Sequence, residues 1–417
     1  MNIRIYSPFL PYPIAEGAFR VIFDQAYSLI QLGHQVELVC WKNRPQDFLK
    51  RTEIWQKDWP RPQFIHLPLS SSSTQIRVLR SWLNRTASPE TYYYPKTPLR
   101  FKPLLQGCDL AIYHYSFAHA WLKKTKHLPS EKKRVVHFHN LESDLSRLRA
   151  QNSSGISQWV HRSNARTLAS HELELTQFAS ELWFLSPVDL RLFQERLKLS
   201  HASRSLPCAL RLVPPTYSTH ASQRPSQMGS QDSITPFFNN PSFFHSPEIR
   251  LGFIGGFDFR PNLDSAQWIL EHLLPRLEQS SFQGKIVFAG QGAQRVLGPQ
   301  VRSPHLEILP DQFDPEGFFS SLSAMLVPHT SGSGVRIKLL DALARRIPVL
   351  ATEEAVERLH PELQTHPLLF CSSQAERWAN HILQANFRSL RASFSSTPLP
   401  DPMNGLEIYG HVSSPAL

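Results

Sequence analysis

The sequence predicts an α/β chain of two Rossmann-like units, and three observations carry that prediction. Its 417 residues exceed one ordinary domain and fit two or three at ~100–200 residues each. Short apolar, β-branched runs alternate with amphipathic stretches in both halves, the pattern of βαβ units and parallel sheets. Between the halves, residues 215–247 have no period and are rich in Ser, Gln, Pro and Asn, which reads as a linker. The expected organisation is a first unit over 1–214, the linker, a second unit over 248–390 and a tail over 391–417, with the two units facing each other across a cleft.

In the first half the strand candidates are IRIYS (3–7), QVELVC (35–40), LAIYHY (110–115), RVVHFH (134–139), LWFLS (182–186) and LRLVP (210–214). A helix from Ala18 to Leu32 joins the first two and stops at Gly33, a residue free to turn left-handed. The second half restarts with IRLGFIGG (249–256), a strand running into a glycine turn, and Asn262 is placed to cap a helix over 263–278. KIVFAGQG (285–292), LEIL (306–309), AMLVPH (324–329) and IPVLAT (347–352) are further strands. A short helix is expected near 315–323, VRIKLLDALARR (335–346) forms another, and HILQANF belongs to the last clear one.

Composition narrows the function classes. A chain 41% hydrophobic and 11% aromatic fills sizeable cores, which excludes wholesale disorder. Cys40, Cys108, Cys208 and Cys371 lie far apart, which excludes a cysteine zinc site or disulfide scaffold and fits a reducing cytoplasm. Pro8, Pro11 and Pro13 interrupt the N-terminal segment where a signal peptide needs a continuous apolar run. No stretch approaches the ~18 apolar residues of a membrane span. The expectation is a cytoplasmic protein, at most peripheral at the inner face of a membrane.

The net charge of +10 divides unevenly: residues 1–214 hold 29 Lys+Arg against 16 Asp+Glu, and the remainder 15 against 18. Residues 76–102 carry six cations and one Glu beside Trp82, Tyr92, Tyr93, Tyr94 and Phe101, and Lys123, Lys124, Lys126, Lys132, Lys133 and Arg134 form a second cluster. Such segments read either as a solvated basic face or as a surface for anionic lipid headgroups. No helix-turn-helix, zinc or RNA-binding motif accompanies the charge, so nucleic acid is not an expected partner.

Three features can carry chemistry. Ala15-Glu16-Gly17-Ala18 after the first strand lets the backbone approach a ligand at a helix N-terminus. Neither G-x-G-x-x-G nor the Walker pattern occurs, which argues against a dinucleotide oxidoreductase or an NTP-hydrolysing loop. Ser331-Gly332-Ser333-Gly334 opens a helix bearing Arg336 and Lys338, and cations at a helix start are disfavoured by the dipole unless a multiply charged anion is bound. A diphosphate suits that arrangement. Finally, His137-Phe138-His139-Asn140-Leu141-Glu142 ends a strand where open α/β sheets place ligands. The two histidines share a face and read either as ligand-facing or as a buried, satisfied pair, and no ligand cluster supports a metal.

These residues resemble the retaining glycosyltransferases of family 4, which have the GT-B fold. SPFLPYPIAEGAFRVIFDQAYSLIQLGHQVELV is similar to that family's opening, and HFHNLESDLSRL resembles its HN-x-E-S segment. GFIGGFDFRPNLDSAQWILEHLLPRL resembles the segment that opens its second domain, and SGSGVRIKLLDALARRIPVLAT is similar to its G-G-G-T-R-L-K block. The resemblance implies sugar transfer, with retention, from a nucleotide-diphosphate-sugar donor to a glycan or lipid-linked acceptor in cell-surface polysaccharide assembly. It implies that Gly17 lies against the donor diphosphate, that Arg336 and Lys338 bind its phosphates, and that Ser333 and Gly334 give backbone contacts. Asp341 would hold the ribose hydroxyls and His139, the catalytic candidate, would touch the donor sugar. No metal or cofactor is expected, and an anionic membrane surface is an expected partner of the basic first unit. Ser333 stands where the family's first motif glutamate would be, Pro214-Pro215 replaces Asn-Gly, and Arg345-Arg346 replaces a small residue and glycine. The alternative is a catalytically inactive GT-B-fold binding or partner subunit.

Overall fold

The computed structural model describes residues 1–12, 17–41, 45–58, 62–67, 107–125, 131–200, 208–215, 248–298, 302–311 and 315–394. The expected linker beyond Pro215, the tail beyond Phe394 and the aromatic, cationic segment 76–102 therefore lie outside the described residues. Two compact units divide the chain. One holds the described residues up to 215 together with Ser333–Val335, and the other holds the rest of the second half.

The first unit runs β1 (Asn2–Tyr6), α1 (Gly17–Gln31), β2 (Gln35–Cys40), α2 (Pro45–Asp58), β3 (Gln63–His66), β4 (Cys108–His114), α3 (His119–Thr125), β5 (Glu131–Phe138), α4 (Glu142–Gln151), α5 (Gly155–Glu174), β6 (Glu181–Phe184), α6 (Pro187–Leu199) and β7 (Ala209–Leu212). Its strands pair in parallel in the order β3-β2-β1-β4-β5-β6-β7. The central strands are buried on both faces, as helix-covered parallel strands must be, and so are mostly apolar, with Arg4 of β1 buried and paired to Glu37. Tyr6 and Tyr113 sit side by side on β1 and β4 with rings stacked at 4.4 Å. Both hydroxyls donate to Glu131, at 3.0 and 2.7 Å, and Arg134 Nε donates to the same carboxylate at 2.8 Å. Three neighbouring strands are thus held in register by one satisfied buried carboxylate.

The second unit runs β8 (Ile249–Ile254), α7 (Arg260–Trp268), a π turn (Ile269–Leu273), α8 (Leu274–Glu278), β9 (Gly284–Ala289), α9 (Ala293–Leu297), β10 (Leu306–Ile308), α10 (Pro315–Ser321), β11 (Ala324–Val327), α11 (Ile337–Ala344), β12 (Val349–Ala351), α12 (Glu353–Glu357), β13 (Leu369–Cys371), α13 (Ala375–Gln384) and α14 (Phe387–Ser393). The strand order is β10-β9-β8-β11-β12-β13, again parallel. Each sheet reverses its winding once, at β1/β4 and at β8/β11, and open α/β sheets hold ligands beyond the strand ends at such points.

Several boundaries differ from expectation. β3 (QFIH) and β13 (LFC) are edge strands too short to show a period, and both were absent from the sequence reading. Asn262 does not cap its helix. Pro261, whose missing N–H costs nothing in a first turn, starts the helix at Arg260 with Phe259 as the cap residue. HILQANF does not lie in one helix, because α13 ends at Gln384 and the Asn386 side chain caps α14 by accepting from Ser389 N.

Two helices end in the same Schellman geometry with different residues in the left-handed position. After α1 it is Gly33, at φ 81°, with Gly33 N donating to Ile30 O and His34 N to Leu29 O. After α11 it is Arg346, at φ 55°, with Arg346 N donating to Leu343 O and Ile347 N to Ala342 O. A side chain there costs about 1 kcal/mol relative to glycine. Arg346→Gly is therefore expected to raise stability to urea by about 1 kcal/mol, with the slope of the transition unchanged.

Candidate functional site

In the second unit, β8 runs into Gly255-Gly256 at the winding reversal and β11 runs into residues 328–334. The backbone is drawn tight here: a side chain on Gly290, at φ 124°, would begin 2.1 Å from Gly255 O. Gly255 in turn is backed by the Asn262 amide, 2.7 Å from where a β-carbon would lie. Asn262 joins the crevice together. Its Nδ2 donates to Gly256 O at 2.9 Å, while its Oδ1 accepts from Lys338 Nζ at 2.8 Å and from His329 Nε2 at 3.2 Å.

Lys338, in the first turn of α11, also rests over the Phe253 ring at 4.2 Å. Burial, followed by the Arg336 charge, holds its ammonium well below the ordinary lysine range. His329 is likewise held neutral by burial and by the cations of Lys338 and Arg336. Neutrality leaves one ring N–H, and that N–H serves Asn262. Thr352 Oγ1 donates to His329 O and also caps α12. Arg336 does not lie in the first turn as expected. It is the extended cap residue of α11, at φ −83° and ψ 93°, and its Nη2 donates to Ser331 O at 2.7 Å. Gly332, at φ 115°, makes room for it, since a β-carbon there would meet that same nitrogen at 2.6 Å.

Asp341 is a turn further along α11, where its Oδ1 accepts from Arg345 Nη1 at 3.2 Å. Arg345 also pairs with Glu316 at 2.5 Å and lies over the Phe319 ring. The carboxylate matched to the ribose is thus held in an ion pair four residues long. Asn262, His329 and Glu354 were not singled out by chemistry in the sequence. Burial raises the Glu354 carboxyl, and Arg358 and Arg336 act against that rise. The Pro-Asn dipeptide was the available signal for Asn262, but it reads equally well as a helix start.

In the first unit Gly17 begins α1, half-buried, while Ala15 and Glu16 lie outside the described residues. Beyond β4 and β5 three buried imidazoles meet. His114 and His137 are cross-strand partners, and His114 Nδ1 lies 2.8 Å from His139 Nε2 in a hydrogen bond. The Gln25 amide, from α1, donates to His137 Nδ1 at 3.2 Å. Tyr115 stacks on His139 at 4.4 Å from a backbone φ of 75°, a conformation that non-glycine residues rarely hold. The histidine pair is therefore buried, but each ring has a separate partner. Burial holds all three well below the usual histidine range, His137 at about 3. Among the described residues no three His, Cys, Asp or Glu side chains are grouped so as to hold a metal.

Ser333–Val335 are counted with this unit. Ser333 is buried, Gly334 N donates to Asp189 Oδ2 at 3.1 Å, and at φ 75° a β-carbon on Gly334 would press on His139 O and the Asn140 side chain. His139 and Gly334 are thus brought together in one unit, and Arg336 and Lys338 in the other.

Residues 248–385 match the protein family described as Glycosyl transferases group 1. A comparison with curated protein sequences finds no match. Among solved structures the chain is similar to the Candida albicans trehalose-6-phosphate phosphatase N-terminal domain, at TM-score 0.62 and 9% identity over 99% of this chain and 95% of that one. It is similar to a structure described as trehalose-6-phosphate from E. coli bound with UDP-2-fluoro glucose, at TM-score 0.61 and 13% identity over 99% and 98%. Anabaena Alr3699/HepE in complex with UDP aligns at TM-score 0.58 and 13% identity over the same shares.

Two predictions follow from the geometry. Asn262→Ala leaves His329 and Lys338 without their shared acceptor and is expected to cost about 1–3 kcal/mol in chemical denaturation. The second concerns acid. His137 is neutral in the folded state down to about pH 3, whereas in the unfolded chain it gains a proton below about pH 6.5. Wild-type stability is therefore lost as pH falls through about 6.5, opposed by Glu142 and Glu172, whose burial raises them to about 7. Relative to His137→Asn, the wild type is expected to lose about 1.4 kcal/mol per pH unit between pH 6 and 4. Parallel pH profiles for the two proteins would refute it. With two parallel-stranded α/β units, seven strands in one and six in the other among the described residues, the chain has the GT-B fold of the glycosyltransferase structures it matches.

Proposed function

We propose that the protein is a retaining glycosyltransferase of family 4. It moves a sugar from a nucleotide-diphosphate-sugar donor to a glycan or lipid-linked acceptor in cell-surface polysaccharide assembly. The observation that carries this reading is the pairing of Arg336 with a buried, charge-starved Lys338 at the β8/β11 reversal. Two basic side chains close to one another, beside tight glycine backbone, suit an anion with several charges. The match of residues 248–385 supports glycosyl transfer, and UDP in the Anabaena structure makes uridine diphosphate the first donor class to try.

In this reading the developing charge on the diphosphate leaving group is met by Arg336, by Lys338 and by loop N–H groups, all fixed before the reaction, so no cofactor is needed. Gly17 opens α1 where a phosphate could come close to the helix N-terminus. His139, its ring fixed by His114 and Tyr115, touches the donor sugar as a neutral hydrogen-bonding group. Asp341 keeps its second oxygen for the ribose while Arg345 holds the first. That ion pair is also what favours the second reading, a GT-B subunit that binds without turning over, since a carboxylate already paired has less to offer a ligand.

The test is thermal stabilisation by UDP, GDP, ADP, dTDP and CMP. One diphosphate at a hundred times its Kd is expected to add about 2.7 kcal/mol, and Arg336→Ala with Lys338→Ala to abolish the gain. No shift with any of them would sink the donor reading, and a shift without turnover of the nucleotide-sugar would favour the inactive subunit. An anion beside Lys338 acts against the burial that lowers its pKa, so in the pH range where Lys338 titrates in the free protein binding is expected to take up protons. Calorimetry in two buffers of different ionisation enthalpy measures this, and Lys338→Met should remove the uptake.

A further inference from the structure

Of the two basic segments of the first unit, 76–102 lies outside the described residues, and in the other most described cations have carboxylate partners. Of the 123–134 cluster, Lys123 lies 3.6 Å from Glu174, Lys132 2.7 Å from Asp109, Lys133 2.7 Å from Glu181 and Arg134 2.8 Å from Glu131. These cations are spent on the unit's own carboxylates.

The outer face of α5 is different. Its inner face buries Ala165, Leu168 and Glu172. On the opposite side Ile156, Trp159, Ser163, Arg166 and Ser170 follow one another at helical spacing, all exposed. Ile156 is 83% and Trp159 56% exposed, one turn apart, whereas the other exposed large apolar residues among those described stand on separate elements. Arg162 and Arg166 follow on the next turns, and the stretch 145–171 contains four arginines and no carboxylate. Arg147 is paired to Asp144, but Arg162 and Arg166 form no ion pair with a described residue. The platform beneath is rigid: Ser143 Oγ donates to Glu172 at 2.5 Å, and Arg196 clamps Asp144 at 2.5 Å.

We propose that this face of α5 is a docking surface for an anionic phospholipid bilayer, with Ile156 and Trp159 entering the headgroup boundary and Arg162 and Arg166 meeting lipid phosphates. The inference deepens the reading of a lipid-linked acceptor at a membrane and rests on it. An exposed indole is costly in water and settles at a membrane interface, where its ring is half apolar and its N–H stays wet. Arginine alone would suit any polyanion, but an isoleucine and a tryptophan beside it favour a surface with an apolar interior.

Flotation of the full chain with phosphatidylcholine vesicles, with or without about one-third phosphatidylglycerol, tests the proposal. Wild type is expected to float with the anionic vesicles and to be released by salt. Arg162→Gln with Arg166→Gln should weaken partitioning about five-fold per arginine, and Ile156→Ser with Trp159→Ser about ten-fold or more. Failure of wild type to float, or both double variants floating like wild type, would overturn the proposal. The nucleotide-induced thermal shift is measured on the same variants. It should be unchanged in them, so loss of vesicle binding with the shift intact separates this surface from the donor site.

Discussion

A lysine ammonium pressed between Asn262 and the ring of Phe253 is the constraint around which the second unit's crevice is arranged. Placing that charge out of water is unfavourable unless hydrogen bonds and a ligand's charge offset it. The surrounding residues do the first part. Asn262 divides its amide among Gly256, His329 and Lys338, His329 stays neutral so that it donates only where Asn262 accepts, and Thr352 holds the His329 backbone. The glycines at 255 and 290 then follow, because the strand ends can close around Asn262 only without side chains. In the proposed function the charge of a bound anion supplies the second part.

Beyond β4 and β5 the first unit uses the opposite chemistry. Three imidazoles are kept uncharged by burial, one fixed by Gln25 and two by each other, and Tyr115 accepts an unfavourable backbone angle to lie on His139. Neutral, oriented rings can hydrogen-bond to sugar hydroxyls without competing for phosphate. Beneath them the Tyr6–Tyr113–Glu131–Arg134 network fixes the strands whose ends carry the rings. The second unit's crevice is thus lined by basic side chains, and the rings beyond β4 and β5 of the first unit are neutral.

Much of this was legible in the chain. Parallel strands buried on both faces are mostly apolar, so the central ones announced themselves, and the glycine turn beside Arg336 and Lys338 suggested an anion site because cations at a helix start need a reason. The edge strands β3 and β13 were not legible, since three or four residues carry no period. The sequence offers Asn262 as a cap because a cap and a buried bridge use the same side chain, and only Pro261 in the first turn shifts the helix start enough to release it.

The sequence by itself determined the fold class, the order of the strands along the chain and the residue types at the site, since these follow from local pattern and from the chemistry each type can do. Tertiary structure alone decided which partner each of those residues takes. Asp341 is held by Arg345, His139 by His114 of the neighbouring strand, and Lys123, Lys132 and Lys133 by carboxylates far along the chain, while Arg162 and Arg166 stay exposed beside Trp159. Charge and hydrogen bonding act over a few ångströms in space, and distance along a chain does not report that separation.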